Sequence, residues 1–431
     1  MMIPRQTAYT RRDFLRTSAG AAAGLLTGFP MIVPSSVFGR TAPSNRIALG
    51  IIGVGGMGMG NLRGFSHQPA AQIVMVCDVD RRHLQAGLSE AGLKPDCGTV
   101  DFREVLARED IDAVVVSTPD HWHVPISLAA VQAGKDVYCE KPLTQTIHEG
   151  RVLSDAVQRY GRVFQTGSHQ RSDEYFHRAC QLVRNGCLGV LKNIYVEIPP
   201  NNRQAPSEWT PEPAPPDLEY DMWLGPAPWA PYTPQRCHYT FRFISDYSGG
   251  QLTNWGSHQI DIAQWGHGTD FSGPVRVEGT GQFPKEGLFD TPLFYDLVFT
   301  YADGLQMFCR TGAGTGSVVF EGEEGRIYVS RERLLTEPKT LLKSSVPPEA
   351  IRLYYSRDHR RNFLDCVRSR KKTAAPAEIG HRTATICHLG NLALVLGRPL
   401  QWDPEKEEFV GDEQANRMRF RAMRRPWNLT P

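Results

Sequence analysis

Glu140, Lys141 and Pro142 stand consecutively, and a second polar group, Asn254-Trp255-Gly256-Ser257-His258, lies far downstream. An ammonium and an imidazole are side chains suited to exchanging a proton with a substrate hydroxyl near neutral pH. A lysine held beside another cation and partly desolvated has a lowered pKa. Pro142 keeps its predecessor extended, so Lys141 is not drawn into a following helix. The plain alternative is a surface lysine ahead of a helix-starting proline. If the chain is helical from about Thr253, then Asn254, His258, Asp261 and Trp265 recur on one face. Asp261 could then orient the imidazole and leave its other nitrogen for a substrate proton, the alternative being a satisfied structural histidine.

A cofactor site is written upstream. The short apolar run Arg46-Ile47-Ala48-Leu49-Gly50-Ile51-Ile52 has the character of a strand buried on both faces of a parallel sheet. It leads into Gly53-Val54-Gly55-Gly56-Met57-Gly58 and then a helical stretch. In such a G-x-G-x-x-G string, Gly53 permits a tight turn, Gly55 lets backbone approach a pyrophosphate, and Gly58 allows close helix–strand packing. The diphosphate then rests on the free amides of Gly56, Met57 and their neighbours at a helix N-terminus. A second strand, from Gln72 to Cys77, ends at Asp78, where a carboxylate accepts hydrogen bonds from the adenosine ribose. Its charge repels a 2′-phosphate, so NAD is expected in preference to NADP, although Arg81 and Arg82 lie close by. The alternative makes Asp78 a strand-end or helix N-cap residue.

A third strand, Asp112-Ala113-Val114-Val115-Val116-Ser117, runs into Thr118-Pro119-Asp120-His121-Trp122-His123. Ligands of open α/β sheets collect at the carboxyl ends of strands, so Thr118, Pro119, His121 and His123 are expected at the cofactor. The His-x-His pair lacks a nearby carboxylate or cysteine partner, and no metal is expected. The next strand delivers Glu140 and Lys141 to the same edge. After Thr166 the rhythm changes to a Pro- and Trp-rich loop (about 199–234) and to β-branched, aromatic strands. Two of these are joined by the hairpin signal Ala302-Asp303-Gly304. The expected fold is therefore α/β plus α+β. A Rossmann dinucleotide-binding domain (45–166) precedes a substrate-binding and oligomerisation domain with a largely antiparallel open sheet (167–431). Polar residues near the crossover or the Gly249-Gly250 turn, namely His169, Arg171, Tyr175, His238, Arg242 and Asp261, are the candidate substrate contacts.

Composition narrows the partners. The 431 residues carry 48 Lys+Arg against 46 Asp+Glu, a net +2 too balanced to recruit nucleic acid or an acidic membrane. The basic run Arg417, Arg419, Arg421, Arg424 and Arg425 is expected to be a solvated face. Beyond the N-terminus no 18-residue apolar stretch exists to span a membrane. Residues 1–39 read as a signal peptide in which Arg11-Arg12 before Phe14-Leu15 specifies the twin-arginine route, with an uncleaved membrane anchor as the alternative. The expected location is periplasmic. The nine cysteines include no C-x-x-C pair, which argues against zinc and leaves at least one thiol free.

Taken together, Gly53-x-Gly55-x-x-Gly58, Asp78, Ser117-Thr118-Pro119, Glu140-Lys141-Pro142 and Gly249-Gly250 leading to Asn254-x-x-x-His258 resemble the Gfo/Idh/MocA oxidoreductases. That family includes glucose–fructose oxidoreductase and inositol dehydrogenase. Asn362-Phe363-Leu364-Asp365, Gly380-His381-Arg382 and Leu389-Gly390-Asn391 resemble an exported subgroup. The resemblance implies bound NAD, with Lys141 and His258 acting at the hydroxyl being oxidised. It also implies a sugar, cyclitol or glycoside substrate and a homo-oligomer, dimer or tetramer. Many members carry Asp where this chain has Asn254, and an amide cannot accept the hydroxyl proton, so base duty falls on His258 or Lys141. Asn254-Trp255-Gly256-x-His258 is similar to the branch of NAD-dependent glycosidases, whose reaction is redox-neutral. A non-catalytic, dinucleotide-bound carbohydrate-binding protein is the reading from another class.

Overall fold

The computed structural model describes residues 45–200, 209–344 and 349–430. The expected export segment, 1–39, lies outside them.

Six short strands, β1 (Ile47–Ile52), β2 (Ala71–Cys77), β3 (Gly98–Thr99), β4 (Ala113–Val116), β5 (Asp136–Cys139) and β6 (Phe164–Thr166), form one parallel sheet in the order β3-β2-β1-β4-β5-β6. Every residue of β4 and β5 is buried, as continuous apolar runs between two helical layers require. The strand order reverses between β1 and β4, and that switch point opens a crevice at the carboxyl ends. Helix Ile147–Arg159 begins with a capping box, Thr146 with Glu149. Lys141 therefore lies in a loop well before the helix, not at its first turn.

The second sheet has nine strands in the order β13-β12-β11-β7-β10-β9-β8-β14-β15. They are β7 (Leu191–Ile198), β8 (Arg276–Gln282), β9 (Phe294–Thr300), β10 (Gln306–Thr311), β11 (Ser317–Gly322), β12 (Gly325–Val329), β13 (Leu334–Glu337), β14 (Leu400–Asp403) and β15 (Glu408–Phe409). Only β7 and β10 pair in parallel; all other neighbours are antiparallel. The hairpin read at Ala302-Asp303-Gly304 is present, with Phe299 opposite Met307. Along β9 buried residues alternate with more exposed ones, the pattern of a sheet packed on one face. That packed face meets helices Glu174–Arg184, Gly256–His267 and Ala377–Leu396 in one core that includes Phe176, Ile260, Phe299, Phe320 and Leu389.

The chain then returns to the first sheet. Phe363, from helix His359–Ser369, makes edge contacts with Phe65 and Tyr138 at 6.2 and 5.8 Å. Near the C-terminus Trp427 packs on Trp122 at 4.7 Å. The basic run is exposed at Arg417, Arg421 and Arg425, as a solvated face would be, and it is also tied down. Arg419 donates to the Glu407 carbonyl, Arg421 to that of Ser245, and Arg424 to those of Gly225 and Asp221, fastening the tail. All nine cysteines are free thiols, and seven are buried. Among the described residues no helix is long and apolar enough to cross a membrane.

Candidate active site

A groove of about 570 Å³ runs along the carboxyl ends of β1, β2, β4 and β5. Its floor is the glycine turn. Gly53 has φ +83, and a Cβ there would lie 2.8 Å from the Ser117 carbonyl group. A Cβ on Gly58 would lie 2.0 Å from the Gly53 carbonyl oxygen, so only glycine lets helix Gly56–Ser66 approach the strand this closely. Around Gly56, by contrast, a Cβ would meet nothing within 4 Å. The helix starts at Gly55 with no side-chain cap, and exposed Met57 stands at the groove's rim. Uncapped amides facing open space are what a diphosphate needs.

At the end of β2, Asp78 Oδ2 accepts from the Val54 amide at 2.8 Å and Oδ1 from the Asp80 amide at 2.9 Å. Each oxygen retains acceptor capacity for a ribose hydroxyl. Asp80, not Asp78, caps the following helix through the Arg82 amide. The donor set, the open glycine turn and the shape of the groove fit a dinucleotide.

The groove has a second wall. Residues 217–219 pair with 79–81: the Arg81 amide donates to the Asp217 carbonyl and the Glu219 amide to that of Val79. Met222, Trp223, His238, Tyr239, Phe241 and Arg242 complete the lining. His238, expected at the substrate, instead stands at the ribose end. Its Nε2 is 3.4 Å from Asp80 Oδ2 and its ring lies 4.8 Å from that of His83. Arg242 is stacked between Tyr239 and Phe241, 4.7 Å from each ring, and its charge acts on Lys141.

Thr118 and Pro119 line the groove. His123 spans two strand-end loops, its ring nitrogens 2.7 Å from the Pro142 carbonyl oxygen and 2.9 Å from that of Thr118. His121 does not face the cofactor groove. It is buried among Trp122, Trp223 and Tyr247 with Nε2 at the Trp223 carbonyl, and burial pushes its pKa down to about 4. An apolar pocket excludes imidazolium, so this ring is packing.

At the groove's inner end Glu140 is buried and accepts from Asn61 Nδ2 at 2.8 Å. Asn61 in turn accepts from Arg360. Lys141 Nζ donates to Asn254 Oδ1 at 2.9 Å and to the Asn254 carbonyl at 3.0 Å. Burial lowers the Lys141 pKa to about 8. His258 is 7% exposed, and its Nδ1 has no partner among the described residues. Burial, reinforced by Lys141 and Arg331, holds it well below its ordinary pKa, so it is a neutral base at pH 7. His169 Nε2 sits 2.9 Å from the Tyr138 hydroxyl and 4.0 Å from Glu140. Tyr175 is exposed on the first turn of helix Glu174–Arg184.

The expected stripe on one helix divides. The chain breaks at Trp255 between helices Gly250–Asn254 and Gly256–His267. Asn254 and His258 belong to the Lys141 site, whereas Asp261 turns inward. It receives both Nε and Nη2 of Arg171, at 2.8–3.0 Å, and the Thr383 hydroxyl. Arg171 also reaches Asp270 at 2.6 Å. At 3% and 1% exposure, Arg171 and Asp261 form a buried ion pair. Neither is a substrate contact, and Asp261 does not orient His258. Sequence reasoning also passed over Asn61, Asp120, Arg360 and Arg331. Asp120 stood in the quoted strand-end loop, but its partner Ser248 lies 128 residues away.

A parallel sheet carrying this groove and a mixed, mostly antiparallel second sheet define a two-domain dinucleotide-binding oxidoreductase fold. Residues 47–168 match the oxidoreductase family's NAD-binding Rossmann fold, and 203–429 match its C-terminal alpha/beta domain. The chain belongs to the Gfo/Idh/MocA oxidoreductase family, and its first domain is an NAD-binding Rossmann domain. A glycosyl hydrolase family 109 protein of Shewanella pealeana is 34% identical over 202 residues, 42% of this chain and 44% of that protein. The chain thus matches less than half the length of that curated relative. Among solved structures, GenD2 from gentamicin A biosynthesis, in complex with NAD, has TM-score 0.63 at 18% identity, covering 88% of this chain and all of that one. Aldose-aldose oxidoreductase from Caulobacter crescentus has TM-score 0.63 at 16% identity, over 83% and 99%. These two likenesses concern the fold.

Proposed function

We propose that the protein is an NAD-dependent oxidoreductase acting on a hydroxyl of a sugar, cyclitol or glycoside. The observation that carries this reading is Lys141, held by Asn254 at the inner end of a dinucleotide groove, with the buried His258 near enough to feel its charge. Bound NAD supplies the two-electron oxidation of an alcohol carbon. Two of the three Lys141 N–H donors are committed to Asn254, so the third position faces the substrate oxygen. Above pH 8 Lys141 is a free amine able to take the hydroxyl proton; below it, its ammonium polarises the oxygen. His258, neutral throughout, is the second acceptor. Arg242 and the segment around Trp223 line the groove opposite the glycine turn.

The cofactor is held tightly and recycled in place. Pairing of 217–219 with 79–81 closes the ribose end, and export by the twin-arginine route, with a periplasmic location, makes free NAD scarce. A dehydrogenase releasing reduced cofactor there would stop after one turnover. A second reading, redox-neutral glycoside cleavage, is supported by the family 109 relative. One experiment separates them. The protein purified with its cofactor is offered a panel of sugars, cyclitols and aryl glycosides without added NAD. A keto-sugar with reduced bound cofactor supports oxidation; released aglycone without net reduction supports cleavage. A protein that binds sugars yet performs neither, with Lys141→Ala unchanged in affinity, is a binding protein and defeats both.

A further inference from the structure

Arg331 lies in the turn between β12 and β13, outside the nucleotide groove. Its guanidinium covers the Trp255 indole, Cζ 4.7 Å from the ring centroid, and its Nε donates to Gln170 Oε1 at 3.1 Å. Gln170 is 2% exposed and anchored by its own amide to the His258 carbonyl. Trp255 in turn meets the His258 ring, with centroids 5.7 Å apart. Guanidinium and imidazole thus contact the same indole, and the Arg331 charge acts on both His258 and Lys141. Among the described residues neither Nη group meets a protein acceptor and no carboxylate is within ion-pair distance. Asp173, whose charge is felt from further off, is occupied capping Tyr175 and Phe176. A guanidinium fixed by stacking and one hydrogen bond, with its bidentate edge unspent, is built for a planar or tetrahedral oxyanion.

We propose that Arg331 is the anion-recognising subsite of the sugar site, and that the substrate is an acidic sugar carrying a carboxylate or a sulfate ester beside the ring whose hydroxyl faces Lys141 and His258. The proposal rests on the reading of that site as carbohydrate-binding. Arg331 and Arg242 both act to lower the Lys141 pKa, against Glu140 and Asp120, and an anionic substituent at Arg331 would offset its part of that field.

The test is calorimetric binding to the cofactor-loaded protein at low salt. The probes are two matched pairs: methyl glucuronide against methyl glucoside, and methyl galactoside 6-sulfate against methyl galactoside. In one pair the anion should bind at least about tenfold more tightly. Arg331→Gln should bring that ratio close to one, with Arg331→Lys retaining part of it. The pair that responds tells carboxylate from sulfate. Equal affinities in both pairs, a preference that survives Arg331→Gln, or no binding of any probe would overturn the subsite. Oxidation of a neutral sugar without charge preference would do so while leaving the oxidoreductase reading intact. Absence of both binding and oxidation across a wider sugar panel would remove both.

Discussion

Lys141 and Asn254 are joined twice: the ammonium donates to the amide oxygen at 2.9 Å and to the backbone carbonyl of the same residue at 3.0 Å. The amide cannot turn, because its Nδ2 donates to Gln251 Oε1 at 3.0 Å and Gln251 is tied to the Pro199 carbonyl. A neutral partner fixes the ammonium's position and stabilises its charge less than a carboxylate would. Burial can therefore lower the Lys141 pKa to about 8.

The rate of alcohol oxidation should accordingly rise with pH through about 8, as Lys141 loses its proton. Asn254→Asp places a carboxylate against the ammonium, favours its charged form, and should move the midpoint up to about pH 9 or beyond. Lys141→Met should lower kcat by about 10²–10⁴-fold with cofactor still bound. Steady-state pH profiles of the three proteins decide this. A midpoint unmoved by Asn254→Asp would mean that another group titrates.

Gly58→Ala should yield a folded protein that has lost its cofactor. The added methyl meets the Gly53 carbonyl, a backbone atom that no rotamer change can relieve. Bound nicotinamide, measured after denaturation of purified protein, should fall at least tenfold with the far-UV dichroism little changed.

Arg171→Leu should destabilise the fold by about 3–5 kcal/mol, because Asp261 and Asp270 would be left buried without their counter-ion. Urea unfolding with saturating NAD measures this. A loss below about 1 kcal/mol would show the trio to be dispensable. The effect belongs to stability; the remaining folded fraction should keep its KM.

Arg424→Ala should hasten release of the cofactor. Arg424 holds the 221–226 stretch through the Gly225 and Asp221 carbonyls, and that stretch leads into the segment lining the groove. A several-fold faster exchange of bound NAD for a fluorescent analogue is the expected result. Unchanged exchange would mean that the segment stays closed without its tail anchor.

What the sequence revealed was whatever is contiguous. The apolar run before Gly53, the three glycines, Asp78 after its strand and Lys141 after the next each declare themselves within a few residues, since strand, turn and strand end follow one another along the chain. Arg171 and Asp261 do not. Their chemistry is set by an ion pair spanning 90 positions, and a polar stripe on a helix cannot say which of its members will find a counter-ion inside. The break at Trp255 carries no proline, so periodicity ran straight through it. His238 sits at φ +57 in a loop whose path across the ribose end depends on pairing with 79–81. Arg331 carried no local mark, because its meaning comes from Trp255 and Gln170 alone.

The return of helix His359–Ser369 to the first sheet bears on how the protein is made. Phe65 and Tyr138 keep each other but lose the Phe363 ring if the chain stops after β6. The nucleotide half is thus incomplete on the ribosome until nearly the whole polypeptide has emerged. A fragment ending at the family's first-domain boundary should therefore expose that apolar surface and be sticky and short-lived.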